Sequence, residues 1–301
     1  MMPRVWIVVL NWNGLADTLE CLASLQRLDY PNYEVIVVDN GSTDGSVKVI
    51  QAQFPDITLI ANEQNLGFTG GNNIGLRYAL ERGADYALLL NNDTEVAPDF
   101  LRLLVEVAEA NPAIGIAGPT IYYHAQPERI WSAGGVIDWQ RGLTSMIGLG
   151  ETDAGEHGAA PRDVDFVTGC AFLVKWAVMK QVGLLDERFF AYYEEAEWCV
   201  RARRAGFRIL HVPQSRLWHK ISPERRAASP QVHYYMTRNR LLFLRLVKAG
   251  WRAWLYTLAD YLRTLISWSL KPRWRCKQQQ RQMMLRAIGD AWQGRWGRAR
   301  T

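Results

Sequence analysis

The chain is short of cysteines, of long apolar runs and of glycine-rich phosphate loops, and each shortage narrows what it can be. Cys21, Cys170, Cys199 and Cys276 are its four cysteines, far apart in 301 residues and with no CxxC pair. That spacing excludes a zinc ribbon and gives no disulfide framework, which leaves buried or idle thiols in a reducing compartment. No run of ~18 uncharged apolar residues occurs, so a plain membrane span is not expected. The opening run Val5–Leu10 is too short for a signal peptide and lacks a small-residue cleavage site. These absences place the chain in the cytoplasm. The first turn after a strand lacks GxGxxG, which disfavours a dinucleotide site. No GxxxxGK followed by Ser or Thr exists, so there is no P-loop.

What is present reads as a folded α/β protein. The composition is 49% hydrophobic and 22% charged, which argues against disorder, and the length accommodates one large domain or two ordinary ones. The formal charge of +5 hides a gradient. Arg238 to Thr301 holds 15 basic and 2 acidic residues, net +13, and six of the 13 tryptophans; the rest of the chain is net −8. A basic, Trp-rich tail on an acidic body points to an anionic neighbour, and charge alone does not separate nucleic acid from phospholipid headgroups.

Two periods alternate over the first 120 residues. Val5–Leu10, Glu34–Val38, Ile57–Ala61, Tyr86–Leu90 and Ile114–Ala117 are short aliphatic runs suited to buried strands. Leu15, Leu19, Leu22, Leu25 and Leu28 repeat at helix spacing, as do Phe100, Leu103, Leu104 and Val107, with Asp44 and Asp99 as helix-start signals. Strands alternating with helices give βαβ units and a mainly parallel sheet, which binds ligands beyond the carboxyl ends of its strands.

Those ends are polar: Asn11-Trp12-Asn13-Gly14, Asp39 to Asp44, the Asn65–Asn73 turn, and Asn91-Asn92-Asp93. Asn, Asp, Gly and Ser are also ordinary turn formers. Four such turns after four apolar strands favour a shared crevice. An Asp directly after a strand can accept hydrogen bonds from a ribose or a base, and one after the fourth strand can hold a divalent cation. Farther on, Phe189 to Glu197 places Glu194, Glu195 and Glu197 behind an aromatic run and before a helix ending at Gly206. A carboxylate among like charges and aromatic surface has raised proton affinity, which suits a general base; acidic residues are equally favoured by a helix N-terminus. His211 lies within a strand and reads as packed, and His219 follows that strand.

Together these residues resemble the family-2 inverting glycosyltransferases of the GT-A fold, above all the bacterial rhamnosyltransferase-like group. The resemblance runs from about Val5 to Arg245 and rests on the strand-end motifs, the acidic block and Leu217-Trp218-His219. It implies a GT-A catalytic domain over residues 1–237, with a nucleotide-sugar half (1–120) and an acceptor half (121–237), and a basic helical region over 238–301. It implies that Asp39 reads the nucleotide base with Asn13 beside it, and that Asn65, Asn72, Asn73 and Asn92 approach the donor. Asn91-Asn92-Asp93 stands where the family has its DXD motif, with an amide in the first position. Asp93 and His219 would hold Mn2+ or Mg2+. Glu195 would be the base, with Glu194 as neighbour, where relatives usually carry Asp. The implied reaction moves a sugar, rhamnose favoured, from a dTDP- or UDP-sugar to a hydroxyl of a glycan or lipid-linked saccharide, in cell-surface polysaccharide synthesis.

The tail repeats Trp251, Trp254, Leu255, Leu258, Tyr261, Leu262, Leu265 and Ile266 at helical spacing among basic residues. That suits a helix lying in an anionic membrane interface, on the inner face of the plasma membrane, or one packed on the protein. Two other functions compete. A sugar nucleotidyltransferase needs a Gly- and Arg-rich triphosphate loop, but Asn11–Leu15 holds one Gly and no Arg or Lys. A non-enzymatic nucleic-acid or membrane binder explains the tail but gives the polar strand ends no purpose, so no nucleic-acid partner is expected.

Overall fold

The computed structural model describes residues 2–221 and 229–299. Strands β1 (Val5–Asn11), β2 (Tyr33–Asp39), β3 (Thr58–Ala61) and β4 (Tyr86–Asn91) form at the aliphatic runs and pair in parallel, in the order β3-β2-β1-β4. Alternation along β1 serves both sheet faces. Trp6 and Val8 join one core with Leu76 and Ala79, while Val5, Ile7 and Val9 join the other with Leu22, Leu25 and Leu104. The helices supplying those partners are α1 (Leu15–Leu25), α2 (Ser46–Gln53), α3 (Gly67–Glu81) and α4 (Phe100–Glu109). Helix α3 lies close on β1 because its contact face carries glycine. A Cβ at Gly75 would stand 2.3 Å from Val8 Cγ1, and one at Gly71 would stand 2.4 Å from Leu10 Cδ1.

The sheet continues past β4. Strand β11 (Ala171–Lys175) runs antiparallel between β4 and β6 (Ile114–Tyr123), and β12 (Arg208–His219) lies parallel to β6. Strands β5 (Thr94–Val96), β7 (Gln126–Ser132) and β10 (Arg162–Asp163) complete ten strands, and β8 (Gly135–Asp138) with β9 (Leu143–Met146) makes a separate hairpin. Helices α5 (Trp176–Val182) and α6 (Glu194–Arg204) cover the Trp6 face. Then come α7 (Pro230–Leu246), α8 (Trp251–Leu270), a 3-10 turn (Pro272–Lys277) and α9 (Gln278–Trp292). Strand order reverses between β1 and β4, the position at which open α/β sheets bind ligands.

Two expectations shift. The boundary at residue 237/238 falls inside α7, which runs unbroken from Pro230 and buries Arg238, Asn239 and Arg240. The division at 120/121 falls inside β6, in one continuous sheet. Helices start where Asp44 and Asp99 signal them: Asp99 is the N-cap residue of α4, and Asp44 stands just before the Gly45 N-cap of α2. Asp99 makes no side-chain cap bond, and Asp44 instead accepts from the amides of Leu15 and Ser46, tying α1 to the β2 loop. Cys21, Cys170 and Cys199 are buried and Cys276 is exposed, and among the described residues none forms a disulfide. Among the described residues no helix is long and apolar enough to cross a membrane.

Candidate active site

The first strand ends are joined by side-chain amides. Asn11 closes β1 and is fully buried. Its Nδ2 donates to Asp39 Oδ2 at 2.7 Å, while its Oδ1 accepts from Thr18 Oγ1 at 2.9 Å and Asn92 Nδ2 at 3.3 Å. Asp39 also accepts from the Ser42 amide at 2.9 Å, so each carboxylate oxygen has one protein donor and keeps capacity for another. Asn13 sits in the left-handed region (φ 51) and accepts from the Thr43 amide at 2.8 Å, which pins the two loops together. Asp39 and Asn13 are thus neighbours at adjacent strand ends.

The other expected donor-side amides are spent on the fold. Asn65 Oδ1 accepts from the Gly67 amide and from Asn40 Nδ2, starting α3. Asn72 donates to Phe68 O. Asn73 donates to Leu185 O and Glu187 Oε1 and accepts from the Leu185 amide, so it ties α3 to the 185–187 turn. Asn92 turns back to Asn11 and Thr18, away from the side where Asn91 and Asp93 line a cavity. Strand periodicity cannot show this, because a turn breaks the alternation that tells one face from the other.

That cavity, about 460 Å³, brings together Asp93, Glu194, Glu195 and His219 from three parts of the chain. Asp39 is outside its lining, one strand end away. Asp93 Oδ1 lies 3.0 Å from His219 Nε2, a close ion-pair contact without hydrogen-bond alignment. Burial works against the Asp93 charge, but His219 outweighs it and holds the carboxyl below the usual carboxylate range. The His219 ring is set edge-on against Trp131, with centroids 4.7 Å apart. His219 closes β12 opposite Thr94 of β5, two strands that bring it beside Asp93.

The acidic block divides. Glu197 accepts from Arg201 Nε at 2.9 Å on both oxygens, and Arg201 in turn binds the carbonyls of Val182 and Leu184, so this carboxylate locks a turn. Glu194 and Glu195 start α6 and line the cavity. The segment before them is strained: Phe190, Tyr192 and Tyr193 have φ of 67, 72 and 75. Each such residue costs about 1–2 kcal/mol without glycine, and strain of this kind clusters at functional sites.

A second cavity, about 590 Å³, also borders Glu195. It shares Trp131, Tyr192 and Glu195 with the first and adds Tyr123, Leu149 and Phe166. Trp131 and Lys220 are among the residues of the first cavity that escaped the sequence reading. Trp131 stands in no motif. Lys220 directly follows His219, which was the available signal; burial opposes its charge, but Glu20, Asp17 and Glu95 more than offset this and raise its pKa. His211, as expected, is packed: it is fully buried and contacts Thr120 Oγ1 at 2.9 Å.

The residues present fit a divalent cation bound partly by its substrate. Asp93 Oδ1 is buried without an aligned partner, and His219 Nε2 is next to it. Among the described residues no third His, Cys, Asp or Glu completes a protein-only site. One carboxylate with open positions for phosphate oxygens is a common arrangement for such ions.

Comparison with known proteins agrees with this geometry. Residues 6–166 match the family described as Glycosyl transferase family 2. Over 253 residues the chain is 26% identical to the dTDP-rhamnosyl transferase RfbF of Shigella flexneri, covering 81% of each protein. It is 27% identical over 222 residues to the N-acetylglucosaminyl-diphospho-decaprenol L-rhamnosyltransferase of Mycobacterium tuberculosis, covering 66% of this chain and 70% of that one. The solved mannosyltransferase PcManGT of Pyrobaculum calidifontis, in complex with GDP-Man and Mn2+, is similar in fold, with TM-score 0.60 at 15% identity over 97% of this chain and 88% of that one. With over half its length inside the family match, and with polar strand ends gathered at the reversal of a mainly parallel sheet, the chain belongs to glycosyl transferase family 2 and has the GT-A fold.

Proposed function

We propose that this glycosyltransferase is inverting and metal-dependent. In this reading it moves a sugar, rhamnose first, from a dTDP- or UDP-sugar to a hydroxyl of a glycan or lipid-linked saccharide, in cell-surface polysaccharide synthesis. The observation that carries the reading is the meeting of Asp93, His219 and Glu195 on one cavity. The names of the two rhamnosyltransferase relatives support the donor and the lipid-linked acceptor.

Asp39 and Asn13 face the nucleoside at the ends of β2 and β1. Asp93 and His219 would hold Mn2+ or Mg2+, as the pairing of carboxylate and imidazole allows. When bound, the ion offsets negative charge gathering on the leaving diphosphate. The acceptor lies on the apolar side of Glu195, between Trp131, Tyr192 and Phe166. Glu195 takes the proton of the acceptor hydroxyl. The freed oxygen bonds to the anomeric carbon from the face opposite the diphosphate, and the departing C–O electron pair stays on the nucleoside diphosphate. One displacement inverts the centre without an enzyme-bound sugar.

The test is Glu195→Gln, assayed for transfer and for donor binding by calorimetry. Loss of a general base is expected to cut kcat by ~10²–10⁴-fold with donor affinity kept. Wild-type turnover would remove Glu195 from the mechanism.

The same reading places the enzyme in the cytoplasm, at the inner face of the membrane. Helix α8 turns Trp251, Leu255, Leu258, Leu262, Ile266 and Leu270 outward, each between 48% and 76% exposed, and buries Thr257 and Tyr261. The tail's expected apolar stripe therefore divides, and its larger part faces out. Exposed apolar stripes of this extent mark interaction surfaces. An anionic bilayer matches both the stripe and the net +13 of residues 238–301, whereas a second copy would bring two such charges together.

A further inference from the structure

We propose that Arg238 and Asn239 of α7 are positioning residues that hold the strained segment before Glu194 and Glu195, and that the carboxy-terminal strap around Gly297 closes the same clamp. The proposal rests on the reading of Glu195 as the base.

The left-handed residues Phe190, Tyr192 and Tyr193 turn a row of carbonyls away from any strand or helix ladder. A buried carbonyl without a donor is costly, so such a turn persists only if something else supplies donors. Asn239 supplies most of them. Its Nδ2 lies 2.8 Å from Phe189 O, 2.7 Å from Ala191 O and 3.0 Å from Tyr192 O. Arg238 adds donors to Arg188 O at 3.3 Å and Phe189 O at 3.1 Å, and the Thr69 amide of α3 donates to Phe190 O at 3.2 Å. Arg238 Nε also donates to Asn239 Oδ1 at 3.0 Å, which fixes the orientation of the amide.

Arg238 is fully buried, yet among the described residues no carboxylate pairs with it. A buried guanidinium without a counter-ion is expensive unless its donors are used. Here they go to the carbonyls of the acidic segment and to Gly297 O at 2.6 Å, with Tyr234 and Tyr235 rings about 5 Å from the cation. The Gly297 amide returns a bond to Arg188 O at 2.7 Å. Gly297 and two side chains of α7 thus grip one turn, whose next residues are Glu194 and Glu195. Their role is to fix where the carboxylate stands, without touching substrate themselves.

Asn239→Asp keeps the volume, removes both donors and sets an oxygen against the three carbonyls. The expected result is a fall in kcat of ~10²-fold, the scale of a ~1 Å misplacement. Donor KM stays within about twofold, because Asp39 and Asp93 belong to other elements. Amide exchange in residues 186–196 is expected to accelerate while the β1 and β2 amides keep their protection. Gly297→Pro, which loses the amide proton and cannot adopt φ 79, should give the same pattern with a kcat loss of about 10-fold. It carries the test if Asn239→Asp does not fold. A parallel rise in donor KM, or unchanged exchange in residues 186–196, overturns the clamp. Accelerated exchange and lost kcat in Asn239→Asp, alongside wild-type turnover in Glu195→Gln, would keep the clamp and reject the base.

Discussion

Asp93 and Glu195 line one cavity, but the elements that present them are stabilised differently. The strand-end side is local: Asn11, Asn13 and Asp39 are fixed by loops that directly follow β1 and β2, on strands buried on both faces. The acidic side is remote. Its turn is strained, and most of its donors come from α7, about 50 residues farther along, with Thr69 and Gly297 adding one amide each. A locally closed network can be read as a motif. A remotely held turn shows only the residues being held, not those that hold them.

Gly67 joins the two sides, and substituting it should have the largest effect on folding. It starts α3 at φ 77, and a Cβ there would lie 2.5 Å from both the Phe190 ring and Phe190 O. Gly67→Ala is expected to cost about 2–4 kcal/mol in urea unfolding and to worsen donor KM and kcat together. A change in only one of the two parameters would show that the sides are uncoupled at this point.

The sheet beneath both sides offers a pH test. Burial pushes the His211 imidazole down to about 3 from its ordinary 6.5, with Arg162 adding to the effect. Acid therefore protonates the unfolded chain first. The stability involved is complete above pH 6.5 and is lost as pH falls toward 3. The slope from this group is about 1.4 kcal/mol per pH unit below ~6. Urea midpoints against pH should fall more steeply in the wild type than in His211→Gln. Equal slopes would mean that His211 is not the buried neutral group described.

The smallest effect on stability belongs to the outward face of α8. Leu262→Glu should change unfolding by no more than about 0.5 kcal/mol, yet it should abolish flotation with anionic vesicles. Failure of the wild type to float, or equal flotation of both, would sink the bilayer reading and leave the stripe to another partner.

Asp39, Asp93, Glu195 and His219 each stand at or beside the end of a regular element whose period is visible, so that much of their placement was legible. The use of Asn73 was not, since nothing local distinguishes an amide facing a donor from one tying α3 to Leu185. Nor was the end of the catalytic body. Basic composition drew a line at Arg238, but that residue is buried on the acidic turn.

What the chain's order of residues determined is the alternation of buried strands and amphipathic helices, and with it the row of polar strand ends. Hydrophobic period and turn chemistry act within a dozen residues, and that is enough to specify them. What only the tertiary structure decided is which polar groups remain for a substrate once the fold has used its share. Desolvated carbonyls take their donors from whatever packing brings near, here Arg238, Asn239 and the Gly297 strap, and sequence distance does not limit that choice.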